Sequence, residues 1–559
     1  MDPIQSLHAL SRTFGGRAAR RKLRLLDALR PDRCRGARRL RLLRETLDFM
    51  RAYPDDARVL AAVRARIAAL PAVEPPVYPY SYGVVRRLVR LLPGRLDIHW
   101  KAIKDETALL DTLDLLVTPG ETQGLEDVRI STQDWFAACR RPGSRGDLAF
   151  FVWLLERSGL PPALQAHLYE RCDLPLSYAG PPACEVELPV PRIHYQRSPI
   201  QRDRFAIEPV IRRPIPAPAR GGQAVIDAAL QALCTRTLEI HPLIYADPAG
   251  VRVADCGRGV RVALIGVRRE FRSPLETLHV FLVVKNGVPV AYGPAAVFMG
   301  CCEMGMNLFP EFRGGEVRRL YAQLMRVLHH VLAVDHFFVT RYGMGEGNDE
   351  AIESGAFWFY RRLGFRPTSA RVEALAREEE TRMAARPGHR SDRRTLRRLS
   401  HTEACLDLSN GRRRPMDLGR LGVAQSRFIA RAFGGDRALA ERRCVARVKR
   451  LLDLGGNGWA LRALAPLLCM IPDLPRWSGR ERAALARIVA AKDEPSEVRA
   501  ARLFNEHVRL EAALRALAER ERGRAREPRA GQPSGAGDGS RRARRSGGCG
   551  PDTSRRERA

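Results

Sequence analysis

Apolar residues recur three and four apart through the first third of the chain: Leu25, Leu26 and Leu29, then Leu40, Leu43 and Leu47, then Val59, Leu60, Val63, Ile67 and Leu70. That spacing is helical. Arg-rich polar faces and short breaks such as Leu92-Pro93-Gly94 and Arg141-Pro142-Gly143 separate the runs, so a helical domain is predicted over 1–174. The helices pack as a bundle or an irregular array, and nothing repeats at a fixed period. From 175 to 221 the texture changes. Pro181, Pro182, Pro189, Pro191, Pro199, Pro209, Pro214, Pro216 and Pro218 forbid long helices and central strands. An extended connector follows, laid over a neighbouring surface, because Ile193, Tyr195, Phe205 and Ile207 are too apolar for a free linker.

Residues 222–370 read as α/β. A helix over Ala224 to Thr235 precedes strand-like runs at Val260–Val267, Leu278–Val284 and Val288–Phe298, and Asn286-Gly287 between the last two is a hairpin signal. Another strand is expected from Cys302 to Phe309. Then comes a helix with the apolar stripe Val317, Leu320, Tyr321, Leu324, Val327, Leu328 and Val331, a strand over Asp335 to Arg341, and a helix over Ala351 to Leu363. Region 371–522 returns to helical spacing, with helices near 371–387, 421–434, 437–453, 457–471, 479–492 and 496–522. The stretch 523–559 is Arg, Gly, Ser and Pro and is read as a disordered basic tail. The fold class is therefore a central α/β domain, its sheet mixed and mostly antiparallel with flanking helices, between largely α-helical N- and C-terminal regions.

Composition changes this picture in three places. With 559 residues the chain is too long for one core. A net charge of +32 points to anionic partners, including weak nonspecific nucleic-acid contact through the basic tail. Only Lys22, Lys101, Lys104, Lys285, Lys449 and Lys492 are lysines, however, and Arg spread along every segment is equally what a coding bias produces. The longest apolar stretch, Trp459 to Ile471, is interrupted by Arg462 and Pro466 and cannot span a bilayer. The twelve cysteines form no CxxC pair, which fits reduced thiols. With no signal peptide visible, a cytoplasmic location is expected.

Two motifs carry candidate chemistry. Phe309-Pro310-Glu311-Phe312-Arg313-Gly314-Gly315 joins a strand to the head of an amphipathic helix. Glycines there let backbone N–H groups approach a phosphate, and the helix start adds partial positive charge. Some forty residues on stands Phe357-Trp358-Phe359-Tyr360-Arg361-Arg362-Leu363-Gly364-Phe365. The succession of hairpin, strand, Arg-Gly turn, helix, strand and Tyr-x-x-x-Gly-Phe resembles the GNAT superfamily of acyl-CoA-dependent N-acyltransferases, over about a quarter of the chain.

The resemblance implies direct transfer of an acyl group from acetyl-CoA or another acyl-CoA to an unidentified amine. It implies Tyr360 as the acid that protonates the departing thiolate. Asn307, Leu308 and Phe309 would polarise the acyl carbonyl and pair with the pantetheine arm, and Arg313, Gly314, Gly315 and Arg318 would hold the pyrophosphate. Glu303 is the base expected on the preceding strand, sharing a side with Gly305, Asn307 and Phe309 by alternation. Asp349, Glu346 and Glu350, in a glycine-rich loop, are its rivals. The chain departs from the family at Glu316, where a small residue is usual, and at Glu353, where an Asn is usual. A carboxylate about 6 Å from a phosphate charge repels it by ~3 kcal/mol, more than the ~0.3–1 kcal/mol a helix start returns. Either Glu316 turns outward, leaving Arg313, Arg318 and Arg319 to the phosphates, or the turn no longer holds the cofactor. Two further readings stay open: a GNAT-like module without catalysis that serves in binding or assembly, and a basic nucleic-acid-binding protein. His329 and His330 diverge on their helix and cannot share a metal, and Cys301 and Cys302 lack a nearby His to activate a thiol. No metal site is expected.

Overall fold

The computed structural model describes residues 2–71, 77–126, 130–179, 186–200, 205–313 and 315–526. Gly314 and the basic segment 527–559 lie outside them. Ten α-helices, from Pro3–Leu10 to Pro162–Arg171, fill the described N-terminal part, interrupted by a two-stranded ribbon of β1 (Leu96–Ile98) and β2 (Leu176–Tyr178). The main sheet comprises β3 (Ala219–Arg220), β4 (Arg252–Gly257), β5 (Val260–Gly266), β6 (Thr277–Lys285), β7 (Val288–Phe298), β8 (Cys301–Met304), β9 (Asn307–Leu308), β10 (His336–Val339), β11 (Arg366–Pro367) and β12 (Ala404–Asp407). Its order is β11-β12-β10-β8-β7-β6-β5-β4-β3, with β9 also on β7. Every pairing is antiparallel except β8 with β10. The sheet is thus mixed and mostly antiparallel. No described helix is long and apolar enough to cross a membrane.

Strands β5 to β7 are nearly continuous apolar runs because both of their faces are covered. The β6–β7 turn places Asn286 at φ 49° and Gly287 at φ 89°, the left-handed pair a two-residue hairpin needs. Three apolar clusters result. One belongs to the first four helices, around Leu7, Leu26, Leu43, Leu47 and Val63. A second unites the helices from Tyr82 onward with the sheet and the helix Val317–Leu332. The third lies among the C-terminal helices around Leu464, Trp477, Ile488 and Leu514, and receives Phe298 and Met299 from the end of β7.

The connector does lie along a neighbour. Its helix Glu208–Arg212 follows the helix Val317–Leu332, whose Arg326 donates from Nε to the Arg213 carbonyl at 2.7 Å and from Nη2 to that of Pro214.

Several elements depart from the sequence reading. The strand expected over Cys302 to Phe309 is divided, because Pro294 on β7 stands opposite Gly305 in the ladder and has no N–H to donate. The helix expected over Ala351 to Leu363 is two, Asp349–Glu353 and Ala356–Leu363, parted at Gly355 with φ 70°. Within the region read as helical, β12 joins the sheet between β10 and β11. The helix expected over 496–522 breaks at His507, which accepts from the Leu510 N–H at 3.2 Å and lies 3.0 Å from the Glu481 carbonyl. Its second half, Val508–Arg526, runs past the boundary of 523 set for the tail.

Candidate functional site

The divided strand leaves part of its edge unpaired. In the β7 ladder Phe309 donates to the Val290 carbonyl at 3.1 Å, so Phe309 and Asn307 aim their main-chain groups at β7. Alternation aims those of Met306 and Leu308 the other way, toward where β10 would continue. But β10 pairs with β8 only through Glu303 and ends at Val339, after which the chain turns into the short helix Arg341–Met344. The outward main-chain groups of Met306 and Leu308 therefore have no β10 residue paired opposite them. Of the three expected pantetheine contacts, Leu308 offers free main-chain direction, whereas the amide of Phe309 is already engaged.

At the head of the helix Val317–Leu332 the chain makes tight turns, with Arg313 N–H on the Pro310 carbonyl at 3.2 Å and Gly315 N–H on that of Phe312 at 3.1 Å. A Cβ at Gly315 would stand 3.2 Å from the Phe312 carbonyl oxygen, 3.6 Å from Phe49 and 3.7 Å from the Tyr53 hydroxyl. Phe49 belongs to the helix Ala37–Ala52 and Tyr53 ends it. The tight approach is thus to the Phe312 carbonyl of the turn itself, while Phe49 and Tyr53 lie at ordinary contact distance.

Glu316 turns inward, not outward. Its carboxylate meets Lys285 Nζ at 2.7 Å, both side chains buried, with Arg319 at 3.9 Å. Lys285 also donates to the Arg258 carbonyl at 2.9 Å and stands 4.9 Å over the Tyr53 ring. Burial pulls the Lys285 pKa down while Glu316 opposes it. Removing one member of such a pair typically costs about 3–5 kcal/mol. The charge that threatened the phosphates is therefore neutralised from below. Around it gather Arg258, Arg319 and His194, close enough that both arginines and Lys285 lower the pKa of His194, after burial itself. Sequence reasoning missed Lys285, Arg258, His194 and Tyr53. Each is far from the motif in the chain, and only Lys285, beside the Asn286-Gly287 turn, adjoined a local signal.

The expected phosphate arginines are placed elsewhere. Arg313 is 61% exposed and 3.3 Å from Glu350. Arg318 donates to the Phe205 carbonyl and lies 5.0 Å over its ring, held by the connector.

Glu303 lies on β8. Its register partners are Ala296 and Phe338, both half-buried. The residue is exposed, yet desolvation by the surrounding protein raises its pKa, and Glu276 and Glu403 raise it further. The rivals are occupied: Asp349 by Arg393 at 3.0 Å and Arg397 at 3.2 Å, Glu346 by His401 at 2.8 Å, Glu350 by Arg313. Among the described residues Glu303 alone of these carboxylates has no cation partner.

Tyr360 is buried in an aromatic cluster, its ring 5.8 Å from Tyr321, 5.5 Å from Phe365 and 5.3 Å from Phe359. Burial raises its pKa, so the phenol stays protonated, as an acid must. Tyr321 is also perturbed by Cys302, which places that cysteine under the same helix. Glu303, next along the strand, faces the opposite side of the sheet. The candidate acid and base are thus on different faces. The thiols of Cys301 and Cys302 are buried, the first pushed up to about 12 and the second also raised, so neither is a nucleophile. Among the described residues no group of three or more His, Cys, Asp or Glu side chains is placed to hold a metal.

Set beside protein-family models, curated proteins and solved structures, the chain matches none of them.

Proposed function

We propose that the central region is an acyl-CoA-dependent N-acyltransferase of GNAT type, acting by direct attack of an amine on the thioester. The observation that carries this reading is the unpaired outward edge at Met306 and Leu308, which follows the end of the parallel β8–β10 pairing and precedes a 16-residue helix. A pantetheine arm lying there would complete the interrupted sheet edge, its amides pairing with the outward main-chain groups of Met306 and Leu308. A thioester held at that edge would have Glu303 on one face of the sheet and Tyr360 on the other. Glu303, with its raised pKa, would take the proton from the attacking amine. Tyr360 would return one to the thiolate. Arg319 and Arg258, grouped around the Lys285–Glu316 pair, would serve the phosphates in place of Arg313 and Arg318.

A second reading has its own support. Phe49 and Tyr53 lie beside Gly315, and Lys285 pairs with Glu316 at the helix head, as in a module kept for binding or assembly. Thermal denaturation with acetyl-CoA separates the two. Acyl transfer predicts a melting temperature that rises with ligand concentration and a rise that disappears in Arg319→Glu. No shift at millimolar acetyl-CoA removes the transferase reading and leaves the assembly module.

A further inference from the structure

At the other end of the helix Val317–Leu332, away from the glycine turn, lies a cavity of about 460 Å³. That is within the ~300–1,000 Å³ typical of small-molecule sites. Four separated stretches build it: connector residues 214–218, the first residue of β4, the last turn of the long helix and the helix Val498–Glu506. Its walls are the Pro214–Pro218 run, Val331 and Val498. The remaining lining side chains, Arg252, His330 and Arg502, are all basic.

Both guanidinium groups are fixed by main-chain carbonyls. Arg252 donates from Nη1 to Ala249 at 2.9 Å and Val251 at 2.8 Å. Arg502 donates from Nε to Val331 at 3.0 Å and from Nη2 to His330. Each keeps further N–H donors for another acceptor. Among the described residues neither forms an ion pair, and no carboxylate lines the cavity. The carboxyl end of the long helix accounts for the position of Arg502. It does not account for Arg252, whose pKa is lowered by burial and then by Arg220, a second cation. A half-buried charge held rigid, repelled by its neighbour and facing apolar walls is the inverse of an anion with an apolar body.

We infer that this cavity binds a monocarboxylate with a short aliphatic chain, the carboxylate across Arg252 and Arg502 and the chain along the prolines, Val331 and Val498. A guanidinium fork matches a carboxylate's two oxygens. A single charge is favoured over a phosphate dianion because most of the wall is apolar and desolvation costs rise with charge. The site is independent of acyl transfer and stands or falls separately.

The test is calorimetric titration of the full chain with hexanoate, hexylamine and hexyl phosphate, repeated on Arg252→Gln and Val498→Trp. Hexanoate should bind, tenfold or more weakly in Arg252→Gln. It should not bind in Val498→Trp, which fills the cavity and leaves both arginines in place. Should Arg252→Gln fail to fold, the Val498→Trp result decides. Absence of hexanoate binding at millimolar concentration overturns the proposal, as does equal binding to wild type and Val498→Trp. Hexylamine binding as well as hexanoate, or hexyl phosphate binding more tightly, overturns the carboxylate assignment.

Discussion

Single residues divide into those whose role follows from their neighbours in the chain and those set by distant partners. Glu303 is of the first kind, since period-two alternation alone puts it beside Gly305 and Asn307. Glu316 is of the second: its repulsion of phosphate could be calculated, but not that Lys285 would return from a hairpin to neutralise it. His279 is also of the second kind. It is buried on β6 and neither ring nitrogen has a hydrogen-bond partner among the described residues. Burial first, then the charges of Arg272, Lys492 and Arg252, lower its pKa from 6.5 to about 4. The native protein therefore binds fewer protons than the unfolded chain between those values. The stability involved is whole above about pH 6.5 and is lost as pH falls toward 4. By linkage the loss between pH 7 and pH 5 is about 2 kcal/mol. Denaturant titrations of wild type and His279→Leu at the two pH values should show the variant lacking that part of the acid decline. Parallel declines would mean that His279 titrates alike in the native and unfolded states.

Elements were legible where their signals were local. The hairpin at Asn286-Gly287, the strand Val288–Phe298 and the C-terminal helices fall within a few residues of their sequence boundaries. Strand β12 was not, because four residues between helices carry no period of their own and become a strand only through β10 and β11. The same hairpin is also a junction. Asn286 Nδ2 donates to the Ala52 carbonyl at 2.8 Å and to that of His194 at 2.9 Å, while its Oδ1 accepts from the His194 N–H at 2.8 Å. One side chain thus ties the central sheet to the N-terminal helices and to the connector. Asn286→Ala abandons three hydrogen bonds in a buried setting and places a Cβ-only residue at positive φ. The expected loss is about 2–4 kcal/mol in urea denaturation. A change below about 0.5 kcal/mol would show that the junction is held by packing alone.

At the scale of the whole molecule, the sequence marked the changes of texture but not how the regions share cores. Phe298 and Met299 leave the sheet to enter the C-terminal cluster, and no periodicity announces that. Arg272 reinforces the join: its guanidinium donates to the carbonyls of Val267 at 2.9 Å, Lys492 at 2.8 Å, Glu494 at 2.6 Å and Pro495 at 2.8 Å. Arg272→Met should uncouple the C-terminal helices and give calorimetry two transitions where wild type gives fewer. An unchanged thermogram would assign the coupling to Phe298 and Met299. The late arrival of β12 has a consequence for synthesis. When β10 leaves the ribosome, the strand that will cover its outer edge has yet to be translated, and elongation at ~5–20 residues per second leaves that edge bare for several seconds. The nascent chain carries an open sheet margin through that interval, and a chaperone that shields extended segments would find its substrate there.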